Sequence, residues 1–249
     1  MSSFISEPSP NGRFAGMQLS GNALKLTACL CMLADHAAKA LPVGEETSFL
    51  FIQILGRISF PVFAYLLVEG FFFTGNIRRY LTRLLALALL SEIPFDLAMK
   101  KNIFDPDRQN TVFLLFAGLL MCRVISLIRS EASMHYRTAL LLQFAALISF
   151  AAAAWFLKLD YGAQGIGVIA VFYYSHGKLP EHPKRERLTA AFWACCILNS
   201  YTLDEPFAFL CLLPLSLYNR QSGSRRWKTA FYLFYPMHLL ALATLSRAL

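Results

Sequence analysis

The feature that most constrains this chain is a succession of apolar blocks, each close to the length of a membrane-crossing helix, joined by short polar segments. A helix needs about 20 apolar residues to span a hydrocarbon core. Stretches such as LLALALL (84–90) and FAALISFAAAAWFL (144–157) do not alternate, as a membrane β-barrel strand must. In lipid each backbone group must be satisfied within its own segment, so the blocks are expected to be α-helices. Only 15% of the residues are charged and the mean hydropathy is +0.49. A soluble domain carries roughly 25% charged residues, so a water-surfaced globule is excluded.

The blocks predict an all-α polytopic protein with about nine spans. They fall near 23–41, 49–73, 79–100, 110–129, 138–157, 162–177, 188–203, 206–219 and 229–247. The pair 188–203 and 206–219 is also readable as a re-entrant hairpin. Residues 1–22 read as a polar cytoplasmic tail without a cleaved leader, and 23–247 as one transmembrane domain. With the N-terminus inside, inward segments carry fifteen basic residues and outward ones five, which favours N-in and C-out. The net charge of +8 is therefore read as topology signal and lipid anchoring, not as nucleic-acid binding. The six cysteines lie inside apolar blocks without zinc-ligand spacing, so no metal is expected.

Function is expected where the sequence keeps groups that hydrocarbon should exclude. Asp35, His36 and Lys39 lie on span 1, Arg57 and Glu69 on span 2, Glu92 and Asp96 on span 3, and His238 on span 9. At 1.5 Å per residue, Asp35, His36, Arg57 and Glu92 all fall roughly 10–12 Å from the outer ends of their spans. Asp96, Gln109 and Asn110 lie nearer the surface. Pro61 and Pro94 each remove a helix hydrogen bond beside these groups, which predicts kinks around a cavity. Structural pairing is the competing reading: Asp35 with Lys39, Arg57 with Glu92, and Glu69 with Arg78, Arg79 or Arg83. Gly162, Gly165 and Gly167 are read as close-packing positions.

The stretches ALKLTACLCMLADH (23–36), GRISFPVFAYLLVEGFFFTGNIRRYLTRLL (56–85), SEIPFDLAM (91–99), QNTVF (109–113) and FYLFYPMHLLAL (231–242) resemble the TraX family. That resemblance implies a bacterial inner-membrane acetyltransferase, linked to acetylation of a conjugative pilin. The layout of spans 1 and 2 is also distantly similar to the heparan-glucosaminide acetyltransferases. The family pattern falls on Asp35, His36, Gly56, Arg57, Phe60, Pro61, Glu69, Gly70, Glu92, Pro94, Asp96, Gln109, Asn110, Tyr235, Pro236 and His238. Residues 130–228 match more loosely.

The resemblance implies acetyl-CoA as donor and an amine acceptor on a peptide, pilin or glycan. Acetyl transfer to an amine needs a base, and His36, then His238, fit that role. Arg57 is the expected oxyanion donor, with Glu92 or Asp96 orienting the base; Asp35 belongs to the expected catalytic set, but its side chain diverges from that of adjacent His36 by about 100° on a helix. Arg78, Arg79 and Arg83, with Glu69 and Tyr235, are the expected donor-binding residues, and Gln109 and Asn110 the acceptor-binding ones. A transporter or flippase, or a non-catalytic membrane chaperone for secreted peptides, are the alternatives. A transporter of that kind often carries an inverted repeat, and none is visible here.

Overall fold

The computed structural model describes residues 18–41, 54–200 and 205–248. Most of the expected N-terminal tail, the beginning of the second span and the last residues of the seventh lie outside the described residues. Among the described residues every regular element is a helix. We number them α1 (Gly21–Ala40), α2 (Ser59–Phe73), α3 (Ile77–Met99), α4 (Thr111–Ser130), α5 (Tyr136–Phe156), α6 (Gly162–Ser175), α7 (Pro183–Leu198), α8 (Leu212–Leu217) and α9 (Lys228–Ala248). Seven of the nine expected spans overlap a single α-helix each, while the second and the eighth are divided.

Three helix starts carry side-chain caps. The Ser20 hydroxyl accepts from Ala23 N–H at 3.3 Å, the Asn76 side chain from Arg79 N–H at 2.9 Å, and the Asn110 side chain from Val112 N–H at 3.0 Å. Pro183 opens α7, where its missing N–H costs nothing.

Among the described residues four helices are long and apolar enough to cross a membrane: Ile54–Phe73, Thr111–Ser130, Tyr136–Phe156 and Lys228–Ala248. α1 and α3, with 20 and 23 residues, are as long but carry charges. α6 and α7, with 14 and 16 residues, are only about 21 and 24 Å long at 1.5 Å per residue. The expected span at 206–219 is not one α-helix: a 3-10 stretch, Glu205–Cys211, runs into the six-residue α8. α5 shows why the chain needs a nonaqueous surrounding. Only Ala154 of its residues is buried, while Leu141, Phe144, Trp155 and Phe156 stand exposed. A helix apolar on every face and buried on almost none is stable only against lipid.

The interior is apolar and closely packed, with Leu24, Leu114, Met121, Ile169, Leu198 and Leu239 fully buried. α4 and α6 approach where a side chain on Gly165 would meet Leu114 at 2.3 Å and one on Gly118 would meet Ile169 at 2.2 Å. Of the three glycines read as packing positions, Gly165 does this. Gly162 instead takes a left-handed conformation at the start of α6 (φ +47°), and Gly167 makes ordinary contact with Ile197.

The expected kinks take two forms. The second span is interrupted by a turn at Arg57 and Ile58, and Pro61 sits in the first turn of α2. α3 runs through Pro94 as one helix. α1 packs against both α2 and α9, and α9 lies along α3. That grouping positions the site.

Candidate functional site

Between α1, α2, α3 and α9 lies a cavity of about 940 Å³. It follows α1 from Gly21 to Lys39, about 27 Å at 1.5 Å per residue. Its two ends differ in chemistry. One end holds His36, Asp35, Lys39, Arg108, Asp160 and Tyr235. The other holds Lys25, Glu69, Arg83, Arg220 and Lys228 with the rings of Tyr80, Phe231 and Tyr232. The middle is apolar, walled by Cys29, Met32, Phe63, Leu66 and Leu87.

The first end is built on two histidines. His36, on α1, and His238, on α9, are both buried, and His36 Nδ1 lies 2.8 Å from His238 Nε2. The two rings are parallel within 1°, with centroids 5.1 Å apart. His238 Nδ1 lies 2.8 Å from the backbone oxygen of Phe234. A carbonyl oxygen only accepts, so Nδ1 of neutral His238 carries the proton and its Nε2 is the acceptor. His36 Nδ1–H must then donate to His238. The remaining nitrogen, His36 Nε2, keeps an unprotonated lone pair, and His36 is the member of the pair that lines the cavity. Tyr235 sits edge-on to both rings, at 6.2 Å from His36 and 5.6 Å from His238.

The neighbouring charges are fixed by their own partners. Asp35 accepts from Lys39 Nζ at 2.5 Å, one turn along α1. A Cβ on Gly56 would lie 2.3 Å from Asp35 Cβ, so a glycine there lets α1 close against the turn before α2. Arg108 donates to Asp160 from Nε at 3.0 Å and from Nη2 at 2.5 Å. Asp160 also accepts from Thr111 Oγ1.

Of the residues singled out in the sequence, Asp35, His36, Glu69, Arg83 and Tyr235 line the cavity, and His238 stands directly behind His36. Arg57 is buried but does not line it. Glu92, Asp96, Gln109 and Asn110 do not line it either; they fasten loops. Glu92 accepts from the backbone N–H of Asn110 at 3.2 Å and from its side chain. Asn110 Nδ2 also donates to Ala88 O at 2.9 Å, tying α4 to α3. Asp96 accepts from Asp105 N–H at 2.9 Å, and Gln109 N–H donates to Lys158 O at 3.1 Å.

Arg78 and Arg79 are exposed and off the cavity, leaving Arg83 as the member of that trio on its wall. Glu69 accepts from Tyr218 Oη at 2.6 Å and Tyr65 Oη at 3.2 Å, with Arg220 Nε at 3.8 Å. It therefore reaches across to the 218–220 segment and not to the arginines of α3. Lys25, Arg108, Asp160, Arg220 and Lys228 were not singled out from sequence. They lie near helix ends, where a charge looks like an ordinary topology signal.

A curated relative, a probable fimbrial assembly protein FimC of serogroup H1 from Dichelobacter nodosus, is 27% identical over 251 residues. The match covers 92% of this chain and 96% of the relative. No solved structure matches. The family model described as TraX protein matches residues 20–246, nearly the whole chain and every element that builds the cavity. On that match the chain belongs to the TraX family, which is associated with pilin assembly and acetylation.

Proposed function

We propose that this chain is a multi-pass N-acetyltransferase of the bacterial inner membrane. It carries acetyl from cytosolic acetyl-CoA to an amine acceptor on the outer side. The observation that carries the reading is the His36–His238 pair, which holds an oriented, unprotonated Nε2 at one end of a cavity whose other end is basic. The excess of basic residues in inward segments favours the Lys25–Arg83 end as cytoplasmic. It also favours nine crossings with the C-terminus outside.

In this reading the acceptor, as its free amine, attacks the thioester carbonyl and forms the new C–N bond. His36 Nε2 takes the proton that the nitrogen sheds. His238 accepts from the His36 Nδ1–H throughout and stabilises the imidazolium. Arg108, at the same end and paired with Asp160, offers guanidinium hydrogen-bond donors to the oxyanion, a role expected of Arg57 from the sequence. The C–S bond then breaks, and the thiolate takes the proton from His36 and leaves as coenzyme A. The base is thereby returned to its starting state. The same lone pair also suits a covalent acetyl-histidine route, in which acetyl-enzyme forms before any acceptor is added.

The fimbrial assembly relative favours a pilin-like peptide over a glycan as acceptor. Purified protein incubated with labelled acetyl-CoA and a membrane lysate should yield an acetylated amine, identified by mass. Uptake of a solute without any covalent change would instead establish a transporter.

A further inference from the structure

We propose that the basic end of the cavity is a polyphosphate site for the 3′-phospho-ADP head of coenzyme A, formed by Lys25, Arg83, Arg220 and Lys228. The proposal rests on the acetyl-transfer reading for the identity of the ligand; its charge and shape come from the cavity.

Four cations line this end and Glu69 is the one carboxylate there among the described residues. Glu69 is already engaged by Tyr65, Tyr218 and Arg220. Lys25, Arg83 and Lys228 have no carboxylate within ion-pair distance among the described residues. Arg83 Nε is buried there without a hydrogen-bond partner. Its guanidinium lies over the rings of Tyr80 at 5.9 Å and Tyr232 at 6.0 Å, and Lys25 Nζ lies over Phe231 at 6.0 Å. Like charges gathered in a low-dielectric cavity repel, so the arrangement is relieved by an anion of about three to four charges. A pyrophosphate with an additional phosphomonoester of about −1.5 to −2 supplies that charge. The rings among the cations add flat faces suited to a base.

Length agrees with the assignment. From Lys25 to His36 is eleven residues along α1, about 16 Å. The pantetheine arm spans about twelve bonds, equivalent to about four residues of extended chain, or roughly 14 Å. The lysine side chain makes up the difference. The wall between the two ends is apolar, as an uncharged arm requires. With its phosphates at Lys25 and Arg83, a coenzyme A thioester reaches His36 Nε2 without the nucleotide entering the bilayer centre.

The test is calorimetric titration of the full chain, in phosphatidylcholine nanodiscs, with coenzyme A and with 3′-dephospho-coenzyme A. Coenzyme A should bind at least tenfold more tightly than the dephospho form. Lys25→Gln with Arg83→Gln should weaken coenzyme A by tenfold or more, and Arg83→Lys should recover part of it. Size-exclusion profiles of the variants check that each is folded. Equal affinity for the two ligands, or a folded double variant that binds as the parent does, would overturn the phosphate site. Phosphatidylglycerol nanodiscs distinguish the other source of phosphate. If anionic lipid fills the site and coenzyme A does not bind even in phosphatidylcholine, the seat is for a headgroup and the proposal fails. His36→Gln should bind coenzyme A like the parent but not transfer acetyl. If His36→Gln transfers normally while the double variant loses affinity, the phosphate site stands and the histidine mechanism falls.

Discussion

Replacing His238 with phenylalanine tests the histidine pair with little change in shape. The ring can keep its parallel packing on His36 and Phe234, at centroid distances of 5.1 and 4.9 Å. What is lost is the acceptor for His36 Nδ1–H at 2.8 Å. Two consequences follow. His36 is no longer held in the tautomer that presents a lone pair at Nε2. The imidazolium formed during transfer also loses a hydrogen bond of the charged class, worth about 1.5–3 kcal/mol. At about 1.36 kcal/mol per decade, the loss corresponds to a drop of roughly 10- to 150-fold in the rate of transfer. Removing the base itself, as His36→Phe, should cost about 10²- to 10⁴-fold. The assay is single-turnover transfer of labelled acetyl to a defined peptide amine, with donor at saturation in nanodiscs. A His238→Phe protein that transfers at the parental rate would refute the argument that His238 sets the tautomer. A loss as large as that of His36→Phe would mean that His238 is itself the base.

Other substitutions separate scaffold from chemistry. Gly56→Ala places a Cβ 2.3 Å from Asp35 Cβ, close to both backbones, so α1 must move. We expect a loss of about 1–3 kcal/mol in stability, read by thermal unfolding, together with reduced transfer. Asn110→Ala removes the cap of α4 and the bond to Ala88 O. It should lower stability by about 1–3 kcal/mol without raising the acceptor KM; a raised KM in a stable protein would return Asn110 to the acceptor site. Met32→Trp should obstruct the apolar middle of the cavity. Acetyl transfer should disappear while adenosine 3′,5′-bisphosphate still binds, and persistent transfer would show that the donor takes another route. Asp107 is held below the usual carboxylate value by its hydrogen bond and charge pairing with Lys158, 2.5 Å away. Its contribution is therefore present above an ordinary aspartate pKa of about 3.9 and lost as pH falls through the lowered value. Any stability difference between the parent and Asp107→Asn at pH 6 should vanish in strong acid.

The helices were legible because a span needs length and apolarity, and both are written locally. The apolar block expected at 79–100 begins within two residues of the start of α3, and α5 is apolar on every face, so its position does not depend on tertiary contacts. The 206–219 block is a 3-10 stretch running into a short α-helix, a difference that composition does not show. The site was legible in part. His36 stood out as a titratable group deep in a span, and its depth was set by counting. Which way a side chain points about the helix was not. Glu92 shares the depth of His36 and Asp96 lies one turn nearer the surface, but they serve Asn110 and Asp105, because the loop after α3 folds back over them. Arg108 and Asp160 are 52 residues apart and become partners only through folding.

The cavity also explains why two histidines, not a histidine and a carboxylate, suit this position. A carboxylate behind His36 would bury a fixed negative charge about half-way through the span. That carries a penalty of several kcal/mol unless every lone pair is satisfied. A second imidazole gives the same directional acceptor at no net charge, and its own proton ends on the backbone oxygen of Phe234. In the proposed mechanism the pair stays neutral while the site is empty and becomes charged only when a proton arrives from the acceptor. The nearby Asp35 and Asp160 do not disturb this balance, since Lys39 and Arg108 already neutralise them. The uncompensated charge lies at the other end of the cavity, about 16 Å along α1 from His36. In the proposed reaction, binding of the donor's phosphates and chemistry at its thioester are kept apart by this apolar wall, so that neither field acts strongly on the other.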